Sequence, residues 1–376
     1  MRAERDAERE PAELCELELP AGPSGAVLRV ASSAADLATV VRGHRWAFLL
    51  EDGVPRPVPD PPPMVPDAVF DLASVTKAAA TTGAVMSLVD GGALDLDAPA
   101  ADWLPALPPA VRLRDLLEHR SGLPEWWPVY LLDGVCGRDP LEAVAELPPR
   151  HPVGQGRHYS DLGFMLLGGI VARASGLDLP AAARRLAFEP AGMAGAHFRP
   201  RGTPADAALP LVATAHGDAY ERRSIRRGEP HPVQADTDSF AGWREHTLVG
   251  EVHDGNAWHA FDGVAGHAGL FGTADDLVAF GRALLASLRG TGPWTPRTTQ
   301  HFLTPARSPD QALGFAHWPE QHAFGHSGFT GIRFAVLPEH DRVVALLTNR
   351  VHAPGLDFPD LAPLWSAILS GVRAGC

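Results

Sequence analysis

Apolar and polar positions alternate most cleanly near the two ends of the chain. Residues 331–349, "GIRFAVLPEHDRVVALLTN", form two alternating runs on either side of a turn at 338–341, which predicts a β-hairpin. Residues 26–30 and 46–50 predict short strands, with an amphipathic segment at 35–41 between them. Residues 55–66, with the core "PDPPP", predict a loop.

Between these ends the period changes from two to about three and a half. In "FDLASVTKAAATTGAVMSLVDGG" (70–92), Ser74, Lys77, Ala78, Val85 and Leu88 recur at helical spacing, and Gly91 and Gly92 supply the stop. "VRLRDLLEHRSGLP" (111–124) predicts a helix stopped by Gly122. "YSDLGFMLLGGIVARASG" (159–176) predicts another, with Ser160 or Asp161 as its cap. Residues 205–244 are polar and aperiodic and predict a long loop. "GTADDLVAFGRALLASLRG" predicts a helix with Thr273 as N-cap and Asp276 closing the capping box, in a variant with Asp in place of Glu. A last helix is expected over 361–372. No internal repeat is visible.

This order predicts an α/β (α+β) fold in one domain spanning 1–376. Its sheet lobe comes from both chain ends, about 20–97 and 262–376, and its helical lobe is inserted at about 98–261.

Composition narrows the function classes. A formal charge of −13 argues against nucleic acid or an anionic membrane as partner. The opening "MRAERDAERE" is followed by no apolar core of signal-peptide length. The longest apolar stretch, near 164–174, is glycine-interrupted and too short to span a bilayer, so a soluble cytoplasmic protein is expected. Cys15, Cys136 and Cys376 are odd in number and far apart. They suggest neither a disulfide framework nor a thiolate metal site, and free thiols are expected.

The chemistry begins with a bias in residue usage. Lys77 is the only lysine among 32 basic residues counted as Lys+Arg, and it follows Ser74 by three positions. On a helix these side chains are neighbours. A partly desolvated amine can lose its proton and take one from a hydroxyl, whereas a guanidinium stays protonated. A base that cycles through a neutral form is thus the one position where arginine cannot substitute. Ser74 at a helix start also feels the positive end of the macrodipole.

Two further stretches fit this site. Tyr159, one of three tyrosines, sits just before a helix and can shuttle a proton beside a lysine, although a staple at the helix start explains it equally well when taken alone. His326, Ser327 and Gly328 open a predicted strand whose edge can offer a backbone N–H to a carbonyl oxygen, with glycine permitting close approach. A plain turn into the hairpin is the alternative. Among the 17 histidines, His246 and His253 stand seven apart without an H-E-x-x-H pattern, so no metal and no cofactor are expected. "GHSGF" misses the G-x-S-x-G elbow because Phe329 fills its last position. His267 reads as a packing residue.

"SVTK", "LLEHRSGLP", "YSDLGFMLLGG", "EPAGMAG", "GVAGHAGLFGTADDLVAF" and "GHSGFTG" occur in the order seen in serine beta-lactamases and penicillin-binding proteins. The resemblance is greatest to the class C beta-lactamase-like branch, with its esterases, D-alanyl-D-alanine carboxypeptidases and D-aminopeptidases, and it covers about 65–355. It implies a beta-lactamase/transpeptidase-like fold, an antiparallel sheet flanked by helices plus an all-helical lobe, with the site between them. It implies Ser74 as nucleophile, Lys77 as its partner base and Tyr159 as the tyrosine of Y-x-N. His326 and Gly328 match the first and last positions of K-T-G, and the Ser74 and Phe329 N–H groups match the oxyanion hole.

Two positions depart from the family. The asparagine of Y-x-N is Asp161, and the lysine of K-T-G is His326, expected to be mostly neutral at pH 7 with a pKa near 6.5. The loss of that charge tilts the expectation toward an esterase-like or small-peptide serine hydrolase working through an acyl-enzyme on a small ester, amide or peptide. D-alanyl-D-alanine carboxypeptidase or beta-lactamase activity is the alternative. A catalytically silent binding protein on the same fold is the rival from another class.

Overall fold

The structure is a computed structural model, and it describes residues 23–132 and 137–374. The three cysteines lie outside the described residues. A six-stranded antiparallel sheet is built from both chain ends: β1 (Gly25–Ala31), β2 (Asp36–Gly43), β3 (Ala316–Trp318), β4 (Ala323–Gly328), β5 (Ile332–Leu337) and β6 (Arg342–Thr348), in the order β3-β4-β5-β6-β1-β2.

Both faces of this sheet are buried, which is why its alternating residues are apolar on each side. Val27, Phe334, Val336, Val343 and Ala345 face the main core. Leu28, Val30, Ala335, Val344 and Leu346 face the opposite way and pack on Trp365, Ile368, Leu369 and Val372 of the C-terminal helix α4 (Ala362–Ala374). On the main-core side lie α1 (Gly83–Asp90), α2 (Asp161–Ser175) and α3 (Ala274–Leu288).

The predicted hairpin is β5–β6, turning through Pro338–His340 with Asp341 at φ 54. The Thr273–Asp276 capping box forms as expected, and the α2 cap is Ser160, whose Oγ accepts from the Gly163 N–H.

The amphipathic segment at 35–41 is a strand, with Ala38 and Val40 buried on the face that packs on α4. Three expectations need correction. The predicted strand at 46–50 and the start of the predicted loop form a small hairpin, Phe48–Glu51 with Val54–Pro57. The predicted long loop at 205–244 contains a strand, Ala213–His216, and a helix, Ala219–Arg227, whose only buried residue is Ile225. With one buried position a helix shows no apolar stripe. Helices dominate the inserted lobe, but it also carries strand residues at His197–Phe198 and Thr247–Val249.

A three-stranded patch joins the lobes beneath the cleft. Phe70–Asp71 and His197–Phe198 both pair with Leu270–Gly272, so the chain reaches Ser74 from a fixed direction. Helix α2 approaches the loop before Leu270 closely: a Cβ on Gly168 would stand 2.8 Å from the Gly266 Cα. Only glycine at both positions allows that contact.

Candidate active site

Ser74 sits on a tight turn between the short strand Phe70–Asp71 and a helical segment that opens with a π-turn, Lys77–Thr82. Ala73 adopts φ 46, a left-handed conformation unusual for a residue with a Cβ. The buried Asp71 carboxylate holds this turn, accepting from the Ala73 N–H at 2.9 Å and from the His253 N–H at 2.7 Å. Burial pushes the Asp71 pKa up to about 6.

The Lys77 ammonium lies beneath Ser74, fully buried, with Nζ 2.9 Å from Ser74 Oγ, 3.3 Å from the His267 carbonyl oxygen and 2.7 Å from Asp161 Oδ1. It also stands 5.0 Å from the centre of the Tyr159 ring. The helical spacing thus brings together the pair that the sequence predicted. One expectation is reversed, however. Burial pushes the amine toward its neutral form, but the facing Asp161 carboxylate and Tyr159 outweigh it, and the Lys77 pKa is raised. The resting lysine is an ammonium.

Tyr159 stands beside both Ser74 and Lys77. Burial raises its pKa, Lys77 pulls it down and Asp161 raises it again, for a net upward shift, so the phenol keeps its proton. His119, from "LLEHRSGLP", packs 4.4 Å from the Tyr159 ring and was missed in the sequence. Its Nδ1 accepts the Ser160 N–H at 3.0 Å, which fixes the chain on the far side of the phenol. Burial first, then Lys77, keep this imidazole neutral, well below the usual histidine range.

The opposite wall is the end of β4. Gly328 permits its close approach, since a Cβ there would stand 2.8 Å from the Leu72 carbonyl oxygen. Among the described residues, neither the Ser74 nor the Phe329 N–H donates to a protein acceptor. His326 lines the cleft, its ring 6.1 Å from that of Tyr159 and its Nδ1 2.9 Å from the Ser327 carbonyl oxygen. The expected pKa near 6.5 is corrected: burial, then the Lys77 charge, lower it to about 3.

The sequence reading also missed the charges that line this cleft of about 1080 Å³. Arg333, opposite Ser327 in the β4–β5 register, and Arg350 stand on the β4 side. Neither is within ion-pair distance of a carboxylate among the described residues. Burial lowers the Arg333 pKa to about 10, which still leaves it charged. Glu221 and Asp254 stand across the cleft. Burial and the Asp254 charge raise Glu221 to about 8, while His267, 2.8 Å away, holds Asp254 ionised. The visible signal for Arg333 was its place two residues after Gly331 in "GIRF". The acids carried no signal.

His246 pairs with Glu251 at 2.8 Å, and the His253 ring stacks on Phe329 at 5.4 Å. His267 is buried, as expected of a packing residue, and it is its carbonyl that reaches the site.

The family model described as Beta-lactamase matches residues 29–363. The N-acetylmuramyl-L-alanine amidase of Bacillus subtilis (strain 168) is 30% identical, with 92% of this chain and 81% of that protein covered. A putative D-alanyl-D-alanine carboxypeptidase of Salmonella schwarzengrund (strain CVM19633) is 27% identical over 77% of this chain and 71% of its own. Among solved structures, that of SurE superposes with a TM-score of 0.70 at 24% identity, covering 99% of this chain and 77% of that one, a likeness of fold.

Proposed function

The chain belongs to the beta-lactamase family and is a serine hydrolase, and from that premise we propose how its residues divide the work. Ser74 carries the acyl group, Lys77 and Tyr159 move protons, and Asp161 is the final proton acceptor. One observation carries this reading: a fully buried lysine touches the Ser74 hydroxyl at 2.9 Å and a carboxylate at 2.7 Å.

Because the resting lysine is an ammonium, it cannot accept a proton directly. Lys77 hands one proton to Asp161 as it takes another from Ser74 Oγ, so the attack leaves a neutral Asp161, a charged Lys77 and an oxyanion. The N–H groups of Ser74 and Phe329 receive that oxyanion. When the tetrahedral adduct collapses, the leaving group takes the Tyr159 proton. Lys77 reprotonates Tyr159, and Asp161 returns its proton to Lys77. Water then attacks the ester on Ser74 by the same relay and releases the acid.

The substrate we propose is a small peptide, amide or ester with a free carboxylate. His326 cannot supply a charge for that carboxylate, but Arg333 and Arg350 on the same wall can. The amidase and carboxypeptidase relatives support an amide bond in a small peptide as the scissile group.

The test begins with a fluorophosphonate probe and mass spectrometry of the labelled peptide. It continues with a panel of p-nitrophenyl esters, nitrocefin, D-amino-acid amides and dipeptides against wild type and Ser74→Ala. Label on Ser74 is expected, with dipeptides turned over and Arg333→Met raising their KM but not that of neutral esters. No adduct on the folded protein would return the silent-binder reading, and nitrocefin turnover above that of the dipeptides would move the assignment to beta-lactams.

A further inference from the structure

The proton relay leaves one polar atom of the cleft wall without a role, Nε2 of His326. Residues two apart on a strand share a face. The His326 side chain therefore leaves β4 on the face where Gly328 meets Leu72 and Ala73, just before Ser74. The residue is 4% exposed, and its Nδ1 lies 2.9 Å from the Ser327 carbonyl oxygen, a contact that only an Nδ1–H can make. Burial and the Lys77 charge keep the ring neutral, so Nε2 carries a lone pair. Among the described residues Nε2 has no hydrogen-bond partner, and His326 lines the cleft. An enclosed acceptor is costly to leave unpaired. Its donor comes from whatever occupies the cleft.

Position assigns that donor. The oxyanion is received at Phe329, three residues and ~10 Å further along the chain. There the neighbouring rings are His253, Tyr220 and Phe358. His326 instead neighbours Tyr159, with ring centres 6.1 Å apart. It thus stands on the side of Ser74 where the phenol meets the leaving group.

We propose that His326 Nε2 accepts the N–H of the scissile amide in the tetrahedral adduct and so turns the nitrogen lone pair toward the Tyr159 hydroxyl. The inference rests on the division of work between Ser74 and Tyr159 given above. Attack by Ser74 Oγ leaves the amide nitrogen tetrahedral, with one lone pair and one hydrogen. Only the lone pair can take the Tyr159 proton, so the hydrogen has to be held on another side. The C–N bond then breaks, its electron pair stays on nitrogen, and the amine leaves. His326 keeps its Nδ1 proton and gains none.

An ester oxygen carries two lone pairs and no hydrogen, and it needs no such partner. In the planar amide the N–H lies in the plane of the carbonyl group. The contact is made fully only after attack, so it raises kcat rather than lowering KM. His326 thereby biases the cleft toward an amide over the ester of the same acid.

The test takes the p-nitrophenyl ester hydrolysed fastest by the wild type, the p-nitroanilide of the same acid, and the N-methyl anilide, which has no N–H. His326→Phe should lower the anilide-to-ester ratio of kcat/KM by at least about tenfold, through kcat of the anilide. His326→Gln, which can present Oε1 as acceptor, should recover part of that ratio. The wild type should hydrolyse the N-methyl anilide at least about tenfold more slowly than the anilide, and His326→Phe should shrink the gap.

Equal changes on anilide and ester in His326→Phe overturn the proposal, because a purely structural role predicts them. So does a wild type that hydrolyses the ester and not the anilide, or the anilide and its N-methyl form equally well. If His326→Phe fails to fold, the N-methyl comparison in the wild type decides alone. Absence of ester hydrolysis is a different failure, that of the hydrolase reading itself, and the fluorophosphonate label on Ser74 checks it separately.

Discussion

Two of the buried ion pairs among the described residues invite comparison, Lys77–Asp161 at 2.7 Å and Arg244–Asp218 at 2.6 Å. They look alike by distance and do opposite things. Arg244 is saturated: its guanidinium bonds Asp218 and the carbonyls of Val252 and His253, and it lies 4.7 Å over the Trp258 ring. Asp218 also takes the Arg244 N–H at 2.8 Å and His259 Nε2 at 3.0 Å, and these partners hold it well below the usual carboxylate range. No proton can leave that pair. Lys77 has its remaining contacts on the Ser74 hydroxyl and one carbonyl, and its amine can change charge. A permanent charge joins structure, while a removable one does chemistry, and the chain writes arginine in the first place and its single lysine in the second.

Exchanging the two cations gives the largest expected effect. Lys77→Arg should lower kcat/KM by more than about 10³-fold, near 4 kcal/mol of barrier. Arg244→Lys should hold kcat/KM within about tenfold while costing about 2–4 kcal/mol of stability in urea unfolding. Equal losses of activity in the two variants would erase the distinction.

Asp161→Asn sharpens the comparison through pH. The ion pair that raises the lysine is then gone. If Asp161 takes the Ser74 proton through Lys77, the variant lacks that acceptor and the lysine must lose its own proton before it can act, so the acidic limb of kcat/KM moves to higher pH. Were lysine alone the base of the wild type, the limb would move to lower pH, because the largest opposition to burial, the Asp161 charge, is then gone.

A smaller effect reads the Lys77 charge through its neighbour. His326 has a folded pKa of about 3, below its unfolded value of 6.5, so between these values the unfolded chain binds the extra proton and stability falls as pH falls. From pH 7 to 5 this amounts to about 2 kcal/mol, and His326→Gln should remove that much of the slope in paired denaturation curves. Smallest is Gly168→Ala, which forces α2 away from Gly266 and the loop whose carbonyl meets Lys77. A loss of about 1–2 kcal/mol with KM unchanged is expected.

Much of this site was legible in one dimension. Ser74 and Lys77 lie three apart on one short helical segment, so local geometry brings them together without help from the rest of the fold. Gly328 was legible for the same reason, as a glycine at a strand edge. The Lys77 charge state was not. Its direction depends on Asp161, 84 positions away in the chain and brought within 2.7 Å only by packing of α2. The helix Ala219–Arg227 was hidden because one buried residue leaves no period to detect.

The sequence by itself determined which strands pair in the C-terminal hairpin, where the capped helices begin, and which hydroxyl and amine touch. All of these follow from short-range periodicity and caps. Only the tertiary structure decided that the lysine rests charged and how far burial lowers the His326 pKa. It alone sets Arg333 and Arg350 on the cleft wall. Burial and facing charge set protonation and affinity, and both are properties of neighbours that the chain order does not name.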